Sequence, residues 1–197
     1  MLPVRLPSAI TVARVAAVEI AVHWRWVLAL ALGTVLLAGS VLPERFPGWD
    51  TPTVWLTSAA AVLAGEVMLL LHELSHAVAA RGRGQEVQRI IFHGFLAETV
   101  LGAGVRAPRH EVVISLAGPG TNLALAGALA ALRVVLPANG PASLLVLTLV
   151  LGNAAIAAAS LLPVGASDGR RALTALAVLL SPPGSGAERH TRRHTER

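Results

Sequence analysis

The sequence predicts an all-α integral membrane protein with about four transmembrane helices and a re-entrant or membrane-associated hairpin after the second helix. Hydrophobic residues make up 54% of the 197 residues and charged residues only 14%, and the mean hydropathy is +0.66. Soluble domains usually contain about 25% charged residues. Four apolar stretches reach the roughly 20 residues that a helix needs to cross a bilayer. They cover approximately residues 24–42, 54–80, 112–136 and 143–162.

These stretches divide the chain into three regions. Residues 1–23 are predicted to be a cytoplasmic N-terminal segment, and residues 24–180 to form the transmembrane domain. Within that domain the apolar piece 172–180 is too short to cross a bilayer alone. Residues 181–197 begin with Pro and Gly and are rich in Arg and other polar residues, which predicts a disordered tail.

The distribution of arginine predicts the orientation of the helices. All 16 basic residues are Arg, and only Arg45 and Arg133 lie near the connections at 43–53 and 137–142. The others lie in residues 1–25, in the connection at 81–111 and in the C-terminal part of the chain. Because cytoplasmic loops carry the excess of basic residues, we expect both termini and the 81–111 connection in the cytoplasm.

Composition and charge also exclude several classes of protein. The absence of Cys excludes disulfides, thiolate metal sites and a Cys nucleophile. The formal net charge of +5 would indicate a nucleic-acid partner in a soluble protein. In a chain this apolar, the partner we expect is the lipid bilayer, and we expect no nucleic acid. The sequence makes no prediction of an oligomeric state.

The connection between the second and third stretches, 84–110, differs from the helices on either side. It contains β-branched and aromatic residues around Gly94, followed by a Gly-rich stretch that ends at Pro108. This composition predicts an extended hairpin or a re-entrant loop that lies against the membrane. Such backbone is tolerated at membrane depth where it is buried in protein or lines a wet cavity.

The second stretch contains an HExxH pattern, His72-Glu73-Leu74-Ser75-His76. On a helix, residues i and i+4 lie on one face, so both imidazoles can reach a single ion. The Glu between them can hold the water bound to that ion, as the general base of a metallopeptidase does. Three ionisable groups in an apolar helix indicate function. The alternative is that these side chains only form hydrogen bonds between helices.

A catalytic zinc ion takes three protein ligands and keeps one open position, so one ligand is missing from the HExxH pair. We consider every nearby carboxylate and imidazole: Asp168, Glu66, Glu98, Glu111, His93 and His110. The fourth stretch ends near Leu162, on the side of the membrane where the second one also ends, and this favours Asp168. The alternative is that Asp168 caps a short helix at 170–180. Glu66 lies on the face of Glu73 and is expected to support a ligand or to pair within the bundle.

Taken together, these motifs resemble the site-2 protease family of intramembrane zinc metalloproteases, in a short form without appended PDZ or CBS domains. The resemblance covers about residues 20–173. The matching segments follow one another in the family's order: Val22-His23-Trp24, His72 to His76, the Gly94-containing segment 91–97, Gly118 to Asn122, Leu161-Leu162-Pro163, and Asp168-Gly169.

The resemblance implies the chemistry of the site. It implies that His72, His76 and Asp168 bind one Zn²⁺ per chain, and that Glu73 activates the water that attacks the scissile carbonyl. It also implies a zinc-dependent intramembrane endopeptidase, whose substrate is a transmembrane helix of a membrane protein cut during regulated intramembrane proteolysis. The region 24–180 would then be a protease-like domain in a bacterial or archaeal cell membrane, with its active site towards the cytoplasm.

Two departures from the family pattern concern the binding of substrate. The family usually has Asn eight residues before the ligand Asp, where this chain has Ser160. Around Asp168 it has Ser167 and Arg170 at positions where the family has other residues. Ser160, Asn153 and Gly94 are therefore the candidate substrate-positioning residues. The alternative for Asn153 is that it pairs polar groups between helices. The departures also leave a second interpretation, a catalytically impaired homologue that binds transmembrane helices without cleaving them.

Overall fold

The fold combines six α-helices with four short strands in the residues that the computed structural model describes, 9–15, 18–102, 107–137 and 140–181. The helices are α1 (Trp24–Leu36), α2 (Leu42–Arg45), α3 (Thr51–Arg81), α4 (Pro108–Val135), α5 (Pro141–Leu161) and α6 (Asp168–Leu180). The strands are β1 (Ala9–Val15), β2 (Val18–His23), β3 (Val87–Phe92) and β4 (Ala97–Leu101).

Four helical segments are long and apolar enough to cross a membrane, by length and composition. They are Trp24–Arg45, Thr51–Arg81, Pro108–Val135 and Pro141–Leu161. The first of them combines α1, a π-helical turn at Leu37–Val41 and α2. The four predicted spans are therefore confirmed, with ends that differ from the predicted ones by a few residues. The remaining apolar piece forms α6, whose 13 residues cover only about 20 Å.

The longest helix, α3, positions most of the site described below. Its 31 residues extend over roughly 46 Å, more than the hydrocarbon thickness of about 30 Å. It begins after Asp50, whose side chain accepts a hydrogen bond from the backbone N–H of Thr53 at 2.7 Å. Such a cap satisfies an N–H group that has no partner within the helix. The C-terminal part of α3 packs against the strands and also contacts α4.

The strands form one sheet in the order β1-β2-β3-β4. The outer pairs β1/β2 and β3/β4 are antiparallel, whereas β2 and β3 pair in parallel, with Ile20 opposite Ile90. One face of the sheet packs against the C-terminal part of α3 in a core cluster of buried residues. This core cluster consists of Val18, Ile20, Ala77, Ala80, Val87, Ile90, Phe92 and Ile114. Within the described residues, β4 pairs only with β3, so its outer edge carries no strand.

The structure bears out the predicted hairpin and adds two strands. The segment after the second span forms β3 and β4, joined by a turn in which the N–H of His93 donates to the carbonyl of Leu96 at 2.8 Å. Gly94 has a φ of +77° in this turn, a conformation that residues with a Cβ adopt rarely. Residues 103–106, in the Gly-rich stretch, lie outside the described residues.

The expectation of a plain segment at 1–23 was incomplete, because residues 9–15 and 18–23 form β1 and β2. The helical class holds for the spans, but a four-stranded sheet belongs to the fold as well. The N-terminal strands were missed because β2 is buried on both faces and lacks the alternation of a half-buried strand. Its partner β3 also lies more than sixty residues away in the sequence. Of the predicted tail at 181–197, all but Ser181 lies outside the described residues.

Candidate metal centre

The two imidazoles of the HExxH pattern and the carboxylate of Asp168 meet at one point inside the helix bundle. His72 and His76 are 3% and 5% exposed on α3, and Asp168 is the first residue of α6. The Nε2 atoms of the two rings are 3.1 Å apart. Asp168 Oδ2 lies 3.4 Å from Nε2 of His72 and 3.3 Å from Nε2 of His76. Within the described residues, no other group of three His or carboxylate side chains converges in this way.

The size of this triangle fits a tetrahedral metal ion. Zinc is bound by His nitrogen and carboxylate oxygen at about 2.0–2.2 Å, and tetrahedral angles then separate the donor atoms by roughly 3.3–3.5 Å. The three observed separations of 3.1, 3.4 and 3.3 Å are close to that value. A set of two imidazoles and one carboxylate, with a fourth position open, is also the chemistry of a catalytic zinc site.

The hydrogen bonds on the far side of each ring orient the imidazoles. Nδ1 of His76 lies 2.6 Å from the carbonyl oxygen of Ile114, which can only accept, so this nitrogen carries the proton. Nδ1 of His72 lies 2.6 Å from Oδ1 of Asn122. With the proton on Nδ1, each ring presents the lone pair of Nε2 to the same point, as metal ligands require.

Asn122 is held by a further polar contact between helices α4 and α5. Its amide nitrogen donates to Oδ1 of Asn153 at 3.0 Å, and the amide nitrogen of Asn153 donates to the carbonyl of Leu149 at 2.8 Å. Both Asn side chains are fully buried. Asn153 thus orients Asn122 and through it His72, and it does not line the cavity in front of the metal ligands. The observed contact is the pairing between helices that was the alternative for Asn153.

Gly118 on α4 forms a wall of the site. A Cβ atom at this position would lie 2.3 Å from Nε2 of His76 and 2.5 Å from Nε2 of His72. No Cβ is tolerated at such distances, so only Gly allows the backbone of α4 to approach the rings this closely. A Cβ atom at Gly120 or Gly127 would meet no neighbouring atom within 4 Å, so a close approach does not account for these two glycines.

A non-helical loop between α5 and α6 places Asp168 beside the two imidazoles. Ser167 caps α6, accepting from the N–H of Arg170 at 3.3 Å and donating to the carbonyl of Leu162. The guanidinium of Arg170 donates to the carbonyl of Gly165 at 2.9 Å. The cap is therefore Ser167 and not Asp168, which leaves the Asp168 carboxylate to face the imidazoles. The two residues that depart from the family pattern here, Ser167 and Arg170, stabilise the loop.

Charged partners surround the carboxylate of Asp168. Burial raises its pKa, but hydrogen bonds from the rings of His72 and His76, when these are protonated, outweigh that effect and hold the pKa well below its usual range. The guanidinium of Arg171 lies 3.8 Å from the other carboxylate oxygen. Arg171 is itself fixed by Glu111 on α4, with Nε and Nη2 both 2.7 Å from Oε1. The carboxylate is therefore ionised, the state that binds a metal.

The other candidate third ligands lie elsewhere. Glu66 accepts a hydrogen bond from Nε1 of Trp26 at 2.9 Å, which joins α3 to α1. Glu111 pairs with Arg171. Glu98 is an exposed residue of β4, and His93 is half-buried in the hairpin turn; neither belongs to the converging group, nor does His110.

A cavity of about 480 Å³ opens in front of the three converging side chains. Glu73, 6% exposed, lines it beside His72 and His76, and its Oε2 accepts a hydrogen bond from the hydroxyl of Thr99 at 2.7 Å. Ser160 forms part of the opposite wall. Sequence reasoning did not assign roles to Asn122 or Thr99. A polar side chain in an apolar span could have indicated a role for Asn122. A single Thr in a strand gives no such indication for Thr99.

Comparison of the sequence with known proteins identifies relatives of this chain. A scan against models of protein families finds none that matches the chain. The candidate zinc metalloprotease Rip3 of Mycobacterium tuberculosis is 36% identical over 129 residues, which are 66% of this chain and 33% of that protein. The candidate zinc metalloprotease sll0528 of Synechocystis is 27% identical over 147 residues, which are 75% of this chain and 39% of that protein.

A solved structure has the same fold. The site-2 protease from Methanocaldococcus jannaschii matches with a TM-score of 0.63 at 20% identity, over 89% of this chain and 74% of that one. In this chain, apolar helices surround a His–His–carboxylate group that could hold a metal ion. The chain belongs to the site-2 protease family. It spans about a third of the length of the curated relatives that it matches.

Proposed function

We propose that this chain is a zinc-dependent intramembrane endopeptidase that cleaves transmembrane helices of membrane proteins. The observation that carries the proposal is the convergence of His72, His76 and Asp168 within 4.8 Å of one another, with the carboxylate of Glu73 in the same cavity. These three side chains would hold one zinc ion per chain. The names of the relatives, both candidate zinc metalloproteases, support the metal and the class of reaction.

Each residue of the site has a task in peptide hydrolysis. When bound, zinc polarises the scissile carbonyl and lowers the pKa of a bound water. Glu73 removes the proton from the attacking water and transfers it to the nitrogen of the leaving amine. Asn122 and the Ile114 carbonyl keep the imidazoles in the tautomer that binds metal. Burial of the group in the bundle limits competing reactions with bulk water.

The substrate must present an extended backbone, because a helix hides its carbonyls in hydrogen bonds. The outer edge of β4 borders the cavity through Ala97, Glu98 and Thr99 and can pair with an unwound segment by strand addition. Gly94 shapes the turn that carries this strand. Ser160, on the opposite wall, offers a hydroxyl where the family usually has an amide.

The orientation follows from the arginine distribution. In our proposal both termini and the β3–β4 hairpin lie on the cytoplasmic side of a bacterial or archaeal cell membrane, with the lipid bilayer around the spans. The site lies in the C-terminal half of α3, nearer the cytoplasmic end of that helix. Water then reaches the site from the cytoplasm.

The proposal is tested with a panel of single-span reporter proteins co-expressed with the chain. Glu73→Gln keeps the shape of the side chain, so it should retain zinc and lose at least about 10²-fold of the cleavage of any reporter that the parent cuts. Glu44→Gln makes the same change at an exposed residue of α2, outside both the cavity and the ligand group, and is the matched control. Cleavage by Glu73→Gln at the parental rate would refute the general-base role.

The second candidate function is a homologue that binds transmembrane helices without cleaving them, and Ser160 is the observation that favours it. Zinc bound to the purified chain, with a reporter retained but never cut, would support this function. Ser160→Asn restores the residue that the family usually has. Cleavage that appears only in this variant would identify Ser160 as the cause of the impairment.

A further inference from the structure

The inner face of β4 carries one polar residue among apolar ones. Side chains alternate along a strand, so Ala97, Thr99 and Leu101 share a face. Ala97 and Leu101 pack against the core cluster formed with α3. Thr99 is therefore directed at α3 from a position where its neighbours are apolar. A polar group at such a position is costly unless it finds a partner.

The partner of Thr99 is Glu73. The hydroxyl lies 2.7 Å from Oε2 of the Glu73 side chain and 3.1 Å from the Glu73 carbonyl oxygen. A hydroxyl has one proton, so it donates to one of these acceptors at a time. The carboxylate is nearer and charged, and hydrogen bonds to charged acceptors are shorter and stronger than those to neutral ones. The favoured acceptor is therefore the side chain.

We propose that Thr99 is a positioning residue for Glu73; the inference rests on the proposed function of Glu73 as general base. A Glu side chain has three rotatable bonds, and a fixed donor at Oε2 selects one orientation. Because Thr99 engages Oε2, the other oxygen, Oε1, is left to accept the proton of the attacking water. Thr99 stands on β4, whose outer edge pairs with no strand in the described part of the chain, so the base is held by the element expected to receive the substrate.

The hydrogen bond between Thr99 and Glu73 is not needed to attach β4 to α3. Ala97 and Leu101 already attach β4 to α3 through apolar packing. A valine at 99 has nearly the shape of Thr and would preserve that packing. The hydroxyl is therefore needed for its hydrogen bond and not for its volume, which makes Thr99→Val a selective probe.

The kinetic test compares Thr99→Val with Thr99→Ser and uses a reporter that the parent cleaves. We expect Thr99→Val to lower kcat about 10- to 100-fold, with KM and zinc content within about twofold of the parent. Thr99→Ser keeps the donor and should restore kcat to within about threefold. The matched control is Thr121→Val, since the Thr121 hydroxyl contacts Ser75 on α3 at 2.7 Å and does not touch Glu73. This control should leave kcat within about twofold.

A second measurement does not depend on turnover. The carboxylate bands that the infrared spectrum loses in Glu73→Gln belong to Glu73. These bands should shift in Thr99→Val and keep the parental position in Thr99→Ser and Thr121→Val. If Thr99→Val does not fold, Thr99→Ala removes the same donor with a smaller side chain and takes its place in both measurements.

The outcomes separate this inference from the proposed function. Parental kcat and unshifted Glu73 bands in Thr99→Val would overturn the positioning role, and so would a loss of kcat that Thr99→Ser does not rescue. If the parent cuts no reporter, or if Glu73→Gln cuts as well as the parent, the proposed function fails, and the infrared bands alone then decide whether Thr99 holds the carboxylate.

Discussion

At the scale of single residues, Gly118 has little freedom to change. A Cβ atom there would enter the space of both imidazole Nε2 atoms, at 2.3 and 2.5 Å. We expect Gly118→Ala to displace the rings and to weaken zinc affinity by about tenfold or more, the usual effect of disturbing the groups that orient metal ligands. The measurement is a competition titration of purified protein with a zinc chelator.

The control for this change lies two residues away. Gly120 is on the same helix and has open space around its Cβ position, so Gly120→Ala should bind zinc like the parent. Equal affinity in all three proteins would show that the approach of α4 to the imidazoles is not required for binding.

The residues of the site differ in how far sequence could reveal them. His72 and His76 stand in a local pattern with a known geometry, so spacing alone predicts that they share a face, with Glu73 beside them. Asp168 required an argument from topology, which left a helix cap as an alternative. The supporting contacts of Asn122 and Thr99 depend on which side chains neighbouring elements bring within 3 Å, and no local pattern encodes that distance.

At the scale of elements, the position of α6 depends on Gly169. A Cβ atom at this residue would lie 2.0 Å from the carbonyl oxygen of Leu161, where α5 ends. Gly169→Ala must therefore push α6 away from α5 and carry Asp168 with it. We expect a loss of stability of about 1–3 kcal/mol, as overpacking usually causes, together with weaker zinc binding.

Thermal unfolding in detergent and zinc titration measure these two effects of Gly169→Ala. Gly152→Ala, in the interior of α5 where the Cβ position is open, serves as the comparison and should change neither. Parental zinc affinity in Gly169→Ala would mean that Asp168 reaches the imidazoles without a fixed α6.

At the scale of the whole molecule, the metal ligands join elements that are far apart in sequence. His72 and His76 belong to α3, and Asp168 belongs to α6, so a bound ion would connect the second span to the C-terminal part of the fold. A ligand present at 100 times its Kd stabilises a protein by about 2.7 kcal/mol. For a chain of this size we expect chelation to lower Tm by roughly 5–10 °C.

Zinc added back should restore the Tm. The variant His72→Ala lacks a ligand, so its Tm should be the same with and without chelator. A chelator that leaves the parental Tm unchanged would contradict a metal link between α3 and α6.

The whole fold was predictable only in part, for a physical reason. Long apolar helices can be recognised from their amino-acid composition, so the sequence predicts the four spans and the short α6. The hairpin of β3 and β4 is local and was also predicted. The pairing of β2 with β3 is parallel and long-range, and strand β2 lacks alternation, so neither its existence nor its partner is visible in the nearby residues.

That parallel pairing sets an order of assembly during synthesis. β2 leaves the ribosome before the first two spans, while its partner β3 emerges only after them. The N-terminal hairpin must therefore wait with an unsatisfied backbone edge until both spans have been inserted. Asp168 emerges later still, so a nascent chain carries its paired imidazoles through insertion without the carboxylate, and the ligand group is complete only when α6 has been made.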